Sequence, residues 1–421
     1  VLAGPIINNS TGALTGVVLT DNGNYQSVPP TITVVTTGGP NIPGCPTSLS
    51  SVRTHDYLGS FSYGYPGGDR PDLTNAYQYK TKWYGIDPAD GSGNYDWSGP
   101  DQCILYNKGM GRTVLFTLYG TPNAYAQYPT LTDPPYNNYA GGSSPLNSLG
   151  LTMGTSNVGL QGFVTALMNR YNVNADLLIN PVTGTNFPSG TRLIDYIEVW
   201  NEPTFGANGV PIANASGYYW IGTAAQLVDI AYIISSTAKA IDPLIKICGC
   251  GFTNYPMTYG TGQYLMFSNF LLATETLSGH NYSGYQLLDI MTIHPYDLLE
   301  KASVMIGASS SPVEFPINDM KHTMITIGGV AKPVIASEWG FFVTNSIFQT
   351  TTSDWVQGIQ IKRVYATHAL LGLIGSYGYS MDSIYLGRPT CGWFKYHAMK
   401  DINKLNGKTI NSVYRSLTRW N

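Results

Sequence analysis

The stretch Ile194-Asp195-Tyr196-Ile197-Glu198-Val199-Trp200-Asn201-Glu202-Pro203 constrains this chain more than any other. Its first half is apolar and β-branched, the pattern of a strand buried on both faces. Trp200, Asn201 and Glu202 arrive at the strand end, where Pro203 cannot continue the ladder. Glu202 is thereby placed on the rim of a sheet, where the chain leaves the core. A second run of the same design, Pro333-Val334-Ile335-Ala336-Ser337-Glu338-Trp339-Gly340, carries Glu338 to a strand end 136 residues further on.

Around these two runs, apolar strands alternate with amphipathic helices. Strands are expected at Val52 to Tyr57, Thr113 to Leu118, Ile245 to Cys250, Leu288 to Ile293 and, more weakly, Ser376 to Met381. Helices are expected at Asp101 to Lys108, Asn157 to Tyr171, Ala224 to Ile241, Gly262 to Thr274, Trp355 to Leu373 and Lys395 to Leu405. In the third of these, Leu227, Ile230, Ala231, Ile234, Ala238 and Ile241 keep a 3.6-residue period, and Asp242-Pro243 ends the helix. Such alternation argues for a parallel α/β fold. Residues 1–44 differ in kind: Gly16 to Thr20 and Pro30 to Val35 read as two short strands, with turn residues at 21–25 between them. A lone hairpin is marginal in water, so this one is expected to pack on the main domain or on another chain.

Only 11% of the residues are charged, against about 25% in an ordinary soluble protein. The 47 glycines and 31 tyrosines, with many Ser, Thr and Asn, supply the missing polarity. A surface rich in hydroxyl and amide groups suits work on neutral sugars outside the cell. A net charge of −3 gives no electrostatic argument for nucleic acid, and no apolar run of about 18 residues points to membrane insertion. The chain starts at Val1, which reads as a processed protein or a fragment. Five cysteines leave at least one unpaired within the chain, and Cys248 and Cys250 are expected to face the same side of a strand. No Cys or His pairs stand at zinc-like spacing, so neither a metal nor a cofactor is expected.

Two carboxylates at the ends of two apolar strands are what glycoside hydrolysis needs, one as acid and base and the other as nucleophile. The run Ile197 to Pro203, taken with Ser337-Glu338-Trp339, resembles the retaining β-glycosidases built on a TIM barrel. In that superfamily the acid/base follows an Asn after strand four, and the nucleophile ends strand seven. Val52-Arg53-Thr54-His55-Asp56, Asn94-Tyr95-Asp96-Trp97 and Thr117-Leu118-Tyr119-Gly120-Thr121-Pro122 resemble the β-xylosidase and exopolysaccharide-hydrolase group. The resemblance implies a (β/α)8 TIM barrel over 45–421, with a small N-terminal β-hairpin appendage over 1–44. By the same resemblance Val52 begins strand two. Either the N-terminal segment supplies strand one in an unusual way, or the barrel is incomplete in this chain.

The resemblance implies Glu338 as nucleophile and Glu202 as acid/base. Arg53 is expected to keep Glu338 ionised, and Asn201 to bind the sugar 2-hydroxyl. Tyr296, two residues after His294, is similar to a tyrosine that contacts the nucleophile, and both are candidates for contact with the sugar. His55 points the same way as Arg53 and is a candidate for sugar contact. Trp339, Trp97 and Trp83 are candidate stacking platforms, whereas Trp200 is expected to pack. A tryptophan common at strand eight of the superfamily is replaced here by Ser376-Tyr377-Gly378-Tyr379, so Tyr377 and Tyr379 are the candidates to substitute. The expected activity is retaining hydrolysis of β-linked polysaccharide. Long aromatic rim loops favour endo action, with exo action on a short xyloside as the rival. From another class comes an inert sugar-binding or structural surface protein, at a cell surface or in a virion, that kept the barrel and lost turnover.

Overall fold

The computed structural model describes residues 2–7, 14–20, 51–54, 82–89, 91–128, 144–154, 157–203, 220–253, 265–295, 314–339, 368 and 371–378. Near the N-terminus β1 (Leu2–Ile7) pairs antiparallel with β2 (Leu14–Thr20), Leu2 opposite Thr20 and Ile6 opposite Gly16. Residues 16–20 are therefore extended as expected, but their partner lies upstream. The strand expected at 30–35 falls outside the described residues.

Seven strands form one parallel sheet: β3 (Ser51–Arg53), β4 (Thr113–Leu118), β5 (Tyr196–Val199), β6 (Lys246–Thr253), β7 (Ile290–His294), β8 (Val334–Trp339) and β9 (Gly375–Gly378). Each strand neighbours the one before it in the chain. Sequential order winds the sheet in one direction only, unlike an open doubly wound sheet, whose order reverses part-way. The sheet also curls. Arg53 on β3 bonds Glu338 on β8 at 2.6 Å, whereas five flat inter-strand steps would separate them by about 24 Å. The expected eight-stranded barrel is thus represented by seven parallel, rolled strands among the described residues.

Helices α1 (Trp83–Ile86), α2 (Ser98–Gly109), α3 (Gly159–Met168), α4 (Ala224–Ile241), α5 (Leu265–Leu272), α6 (Gly284–Leu287) and α7 (Glu314–Gly328) lie between the strands in sequence. The apolar stripe of α4 is buried, and its start is fixed by a reciprocal cap. Thr223 Oγ1 accepts from the Gln226 N–H at 3.1 Å, while Gln226 Oε1 accepts from the Thr223 N–H at 2.9 Å. On the convex face of the sheet, Val114, Phe116, Ile197, Val199, Ile247, Met291 and Val334 join Phe163, Leu167, Leu227 and Ile234 of the helices in one core. On the concave face Leu115, Cys248, Ile290 and Ile335 form a smaller apolar layer, with Tyr196 and Tyr377 against it. Cys248 and Cys250 fall in different clusters, because a register irregularity between Gly249 and Phe252 breaks the alternation. Cys103, Cys248 and Cys250 are buried free thiols. No helix among the described residues is long and apolar enough to cross a membrane.

Two expected sugar platforms belong instead to the helix layer. Trp97 stacks on Phe163 at 5.9 Å and meets Tyr171 edge-on at 5.7 Å, with the Arg170 guanidinium 5.8 Å from its ring. Trp83 is fully buried, stacked on Tyr125 and Phe163, and its indole N–H donates to Asp87. Both rings spend their apolar area on packing. Trp97→Ala is accordingly expected to cost about 2 kcal/mol of stability and to leave KM for any saccharide unchanged. Thermal melts beside Michaelis kinetics test this, and a raised KM in a fully stable variant would return Trp97 to the substrate.

Candidate active site

At the C-terminal end of β5 the backbone turns sharply out of the sheet. Trp200 and Glu202 take φ of +66° and +47°, a region that costs a bulky L-residue about 1–3 kcal/mol. The strain is held by packing: the Trp200 ring is fully buried, edge-on to Trp220 at 4.9 Å and to Tyr119 at 5.7 Å. The Trp200 backbone N–H donates to the Leu118 carbonyl at 2.9 Å. With Trp200 anchored, Asn201 is buried and Glu202 stays partly accessible at the rim.

Glu338 is placed by a different device. Between Ala336 and Trp339, β8 advances three residues while β9 advances two, from Ser376 to Gly378. An extra residue of this kind re-aims the side chains that follow it. Ile335 packs on the concave layer, Glu338 reaches Arg53 on that side, and Trp339 joins the convex core. Trp339 is therefore not a sugar platform. It is fully buried, its indole N–H donates to Ser376 Oγ at 2.9 Å, and its ring meets His368 edge-on. Burial pushes the His368 imidazole down to about 3, so it stays neutral and shares Ser376 at 2.8 Å.

The two carboxylates converge. One oxygen of Glu202, one of Glu338 and a ring nitrogen of His294 all lie within 4.8 Å of one another. His294 Nδ1 stands 2.8 Å from Glu202 Oε1 and 3.9 Å from Glu338 Oε2. His294 was expected to contact sugar. Its side chain is instead fully buried and bonded to the rim carboxylate. The ring lies over Gly251, whose φ is +61° and where a Cβ would come 2.7 Å from His294 Nε2. Only glycine fits there.

Arg53 joins these groups from the opposite side of the curl. Its Nε donates to Glu198 Oε2 at 2.7 Å, Nη1 to Glu338 Oε2 at 2.6 Å and Nη2 to Asn201 Oδ1 at 2.7 Å. The expected contact between Arg53 and Glu338 is present, and Asn201 is held by the same guanidinium. Glu198 is the member that sequence reading passed over. It is wholly buried and also accepts from Thr117 Oγ1 at 2.9 Å. Burial pushes its carboxyl up, but Arg53, His294 and the Ser337 hydroxyl outweigh this and hold it below the ordinary range. A signal existed: a charge amid β-branched residues on a buried strand needs a partner. Tyr377 lies against the concave apolar layer with Leu115, Cys248, Ile290 and Ile335. His55, Tyr296 and Tyr379 fall outside the described residues.

Among the described residues, Glu202, His294 and Glu338 are the one group of such side chains close enough to share a cation. Within that group His294 Nδ1 and Glu202 Oε1 form a direct hydrogen bond. Beside it Arg53 pairs with two further carboxylates, Glu198 and Glu338. Glu202 is the more accessible carboxylate, its side chain 20% exposed against 11% for Glu338.

No family model matches this chain, and no curated protein matches it. Among solved structures it is similar to a family 39 β-xylosidase from Caulobacter crescentus, at 16% identity over 77% of this chain, with a TM-score of 0.44. It is also similar to a family 39 glycoside hydrolase from Bacteroides cellulosilyticus WH2, at 13% identity over 80% of this chain and a TM-score of 0.47. A third is a family 10 endoxylanase retrieved from a sugarcane soil metagenome, at 12% identity over 81% of this chain and a TM-score of 0.44. The chain spans 58% and 56% of the two family 39 chains and 86% of the endoxylanase.

Proposed function

We propose that this protein is a retaining glycoside hydrolase that cleaves β-linked polysaccharide by double displacement. The observation that carries the reading is the convergence of Glu202 and Glu338 to within 4.8 Å, oxygen to oxygen, at one rim of the curled sheet. Retaining enzymes hold their two carboxyl groups about 5–5.5 Å apart, whereas inverting ones leave room for a water at about 6.5–9.5 Å. Glu338, gripped by Arg53, is the nucleophile and attacks the anomeric carbon. Glu202, joined to His294, delivers the proton to the departing oxygen. In the second half-reaction Glu202 takes a proton from water, which displaces Glu338 from the sugar. Asn201, its Oδ1 held by Arg53 Nη2, would hydrogen-bond the sugar 2-hydroxyl through its amide N–H. Endo action on a neutral chain remains our preferred mode, from the low charge and the aromatic rim loops.

A 2-deoxy-2-fluoro aryl β-glycoside separates this from a binding module. Turnover is expected to stall as a covalent adduct, with one fluoroglycosyl mass increment on the peptide that contains Glu338. An unmodified protein that still binds saccharides would leave only the binding module.

A further inference from the structure

Among the described residues the Arg53 guanidinium donates to Glu198, Glu338 and Asn201, and Glu198 holds it at two nitrogens. Glu198 Oε2 receives Arg53 Nε and lies 2.7 Å from Nη2 as well. The pair is almost entirely out of solvent, with side-chain exposures of 6% and 0%. Glu198 is itself fixed, since Thr117, directly opposite it in the β4–β5 register, donates its hydroxyl to the same oxygen. A long Arg side chain has several rotatable bonds to lose, and a two-point contact at its Nε edge removes that freedom before substrate arrives. What remains is the opposite edge of the fork, aimed with Nη1 at Glu338 and Nη2 at Asn201.

We infer that Glu198 is a positioning residue for the reaction, clamping Arg53 so that the guanidinium presents fixed donors to Glu338 and Asn201. The inference rests on the hydrolase reading for its kinetic consequence but not for its structural one. Glu198 does not touch the sugar or the reacting atoms. It acts through Arg53. An Arg53 released from Glu198 would swing fully onto Glu338, the nearer remaining anion, and Asn201 would lose its orienting donor. Misplacement of a positioning group by about 1 Å is worth up to about 100-fold in rate.

Glu198→Gln keeps the shape and removes the charge. On an aryl β-glycoside it is expected to lower kcat about 100-fold with KM little changed. In an Arg53→Lys background the same change is expected to do almost nothing further, because residues that act as a unit are not additive. Thr117→Val, which loosens the clamp without touching any charge, is expected to lower kcat by a smaller factor and covers the case in which Glu198→Gln does not fold. A second readout needs no turnover. The Arg53 Nε–H, assigned by its loss in Arg53→Lys, should give a resolved, exchange-protected nitrogen–proton NMR signal in the wild type. That protection should vanish in Glu198→Gln and weaken in Thr117→Val. Independent kinetic losses, or an Arg53 signal unchanged in folded variants, would overturn the clamp. If the wild type hydrolyses no glycoside, the hydrolase reading fails. The NMR comparison then decides the clamp by itself, loss of protection supporting it and retention overturning it.

Discussion

Glu338→Ala is expected to abolish turnover of aryl β-glycosides, by about 10,000-fold or more, because on the proposed mechanism Glu338 forms the covalent intermediate. The fold should survive the change. Arg53 keeps Glu198 as its counter-charge, so removal of the largely buried Glu338 does not strand the guanidinium. Glu202→Ala should behave differently. A general acid contributes about 100- to 10,000-fold, and the loss should be greatest for poor leaving groups and slight for a dinitrophenolate. Rates for a series of aryl leaving groups, measured on both variants beside circular dichroism, check the pair. Wild-type rates in both would remove these residues from the chemistry. A leaving-group dependence that followed Glu338 and not Glu202 would reverse their roles.

Arg53→Met is expected to be the most destabilising single change among the site residues. It leaves Glu198 buried and charged without its partner, a situation that costs about 3–5 kcal/mol. The pH dependence has a definite sign. In the wild type Arg53 and His294 hold the Glu198 carboxyl below its ordinary value against the opposing effect of burial. The unfolded chain then binds the proton more readily, and the stability contributed by Glu198 is present above the ordinary carboxylate range. It is lost as pH falls through the lowered value. In Arg53→Met burial acts with less opposition and favours the protonated form, so folding of the variant weakens as pH rises. The gap in melting temperature between wild type and variant should therefore widen from about pH 3 to pH 7. Thermal melts across that range measure it, and a gap independent of pH would show that Glu198 does not depend on Arg53 for its charge.

Much of the scaffold could be read from the chain alone, and the reason is periodicity. The strand at Thr113–Leu118 and the helix at Ala224–Ile241 have the limits expected of them, since both carry an uninterrupted apolar pattern between clear stop signals. Elsewhere the type was right and the ends moved. The helix expected from Asn157 begins at Gly159, and its α-helical part stops at Met168. The strand expected to end at Cys250 runs on to Thr253 through an irregularity. The helix Glu314–Gly328 was not expected, for Pro316 and scattered polar residues break its stripe.

The sequence by itself determined that two glutamates would close two buried strands of a parallel α/β sheet, because a run of β-branched residues ending in Asn-Glu-Pro or Glu-Trp has few other ways to be satisfied. It also placed Arg53 on another strand, the one expected at Val52 to Tyr57. Only the tertiary structure decided which side chains meet. The left-handed turn at Trp200 and Glu202, the extra residue in β8 that lets Glu338 reach inward while Trp339 turns out, and the glycine beneath His294 are matters of register and close approach. The same holds for Glu198, an ordinary strand residue until the sheet curls and brings Arg53 to it across the intervening β4. Local pattern specifies the face a residue belongs to; which partner waits on that face depends on how far the sheet rolls, a property of all seven strands together.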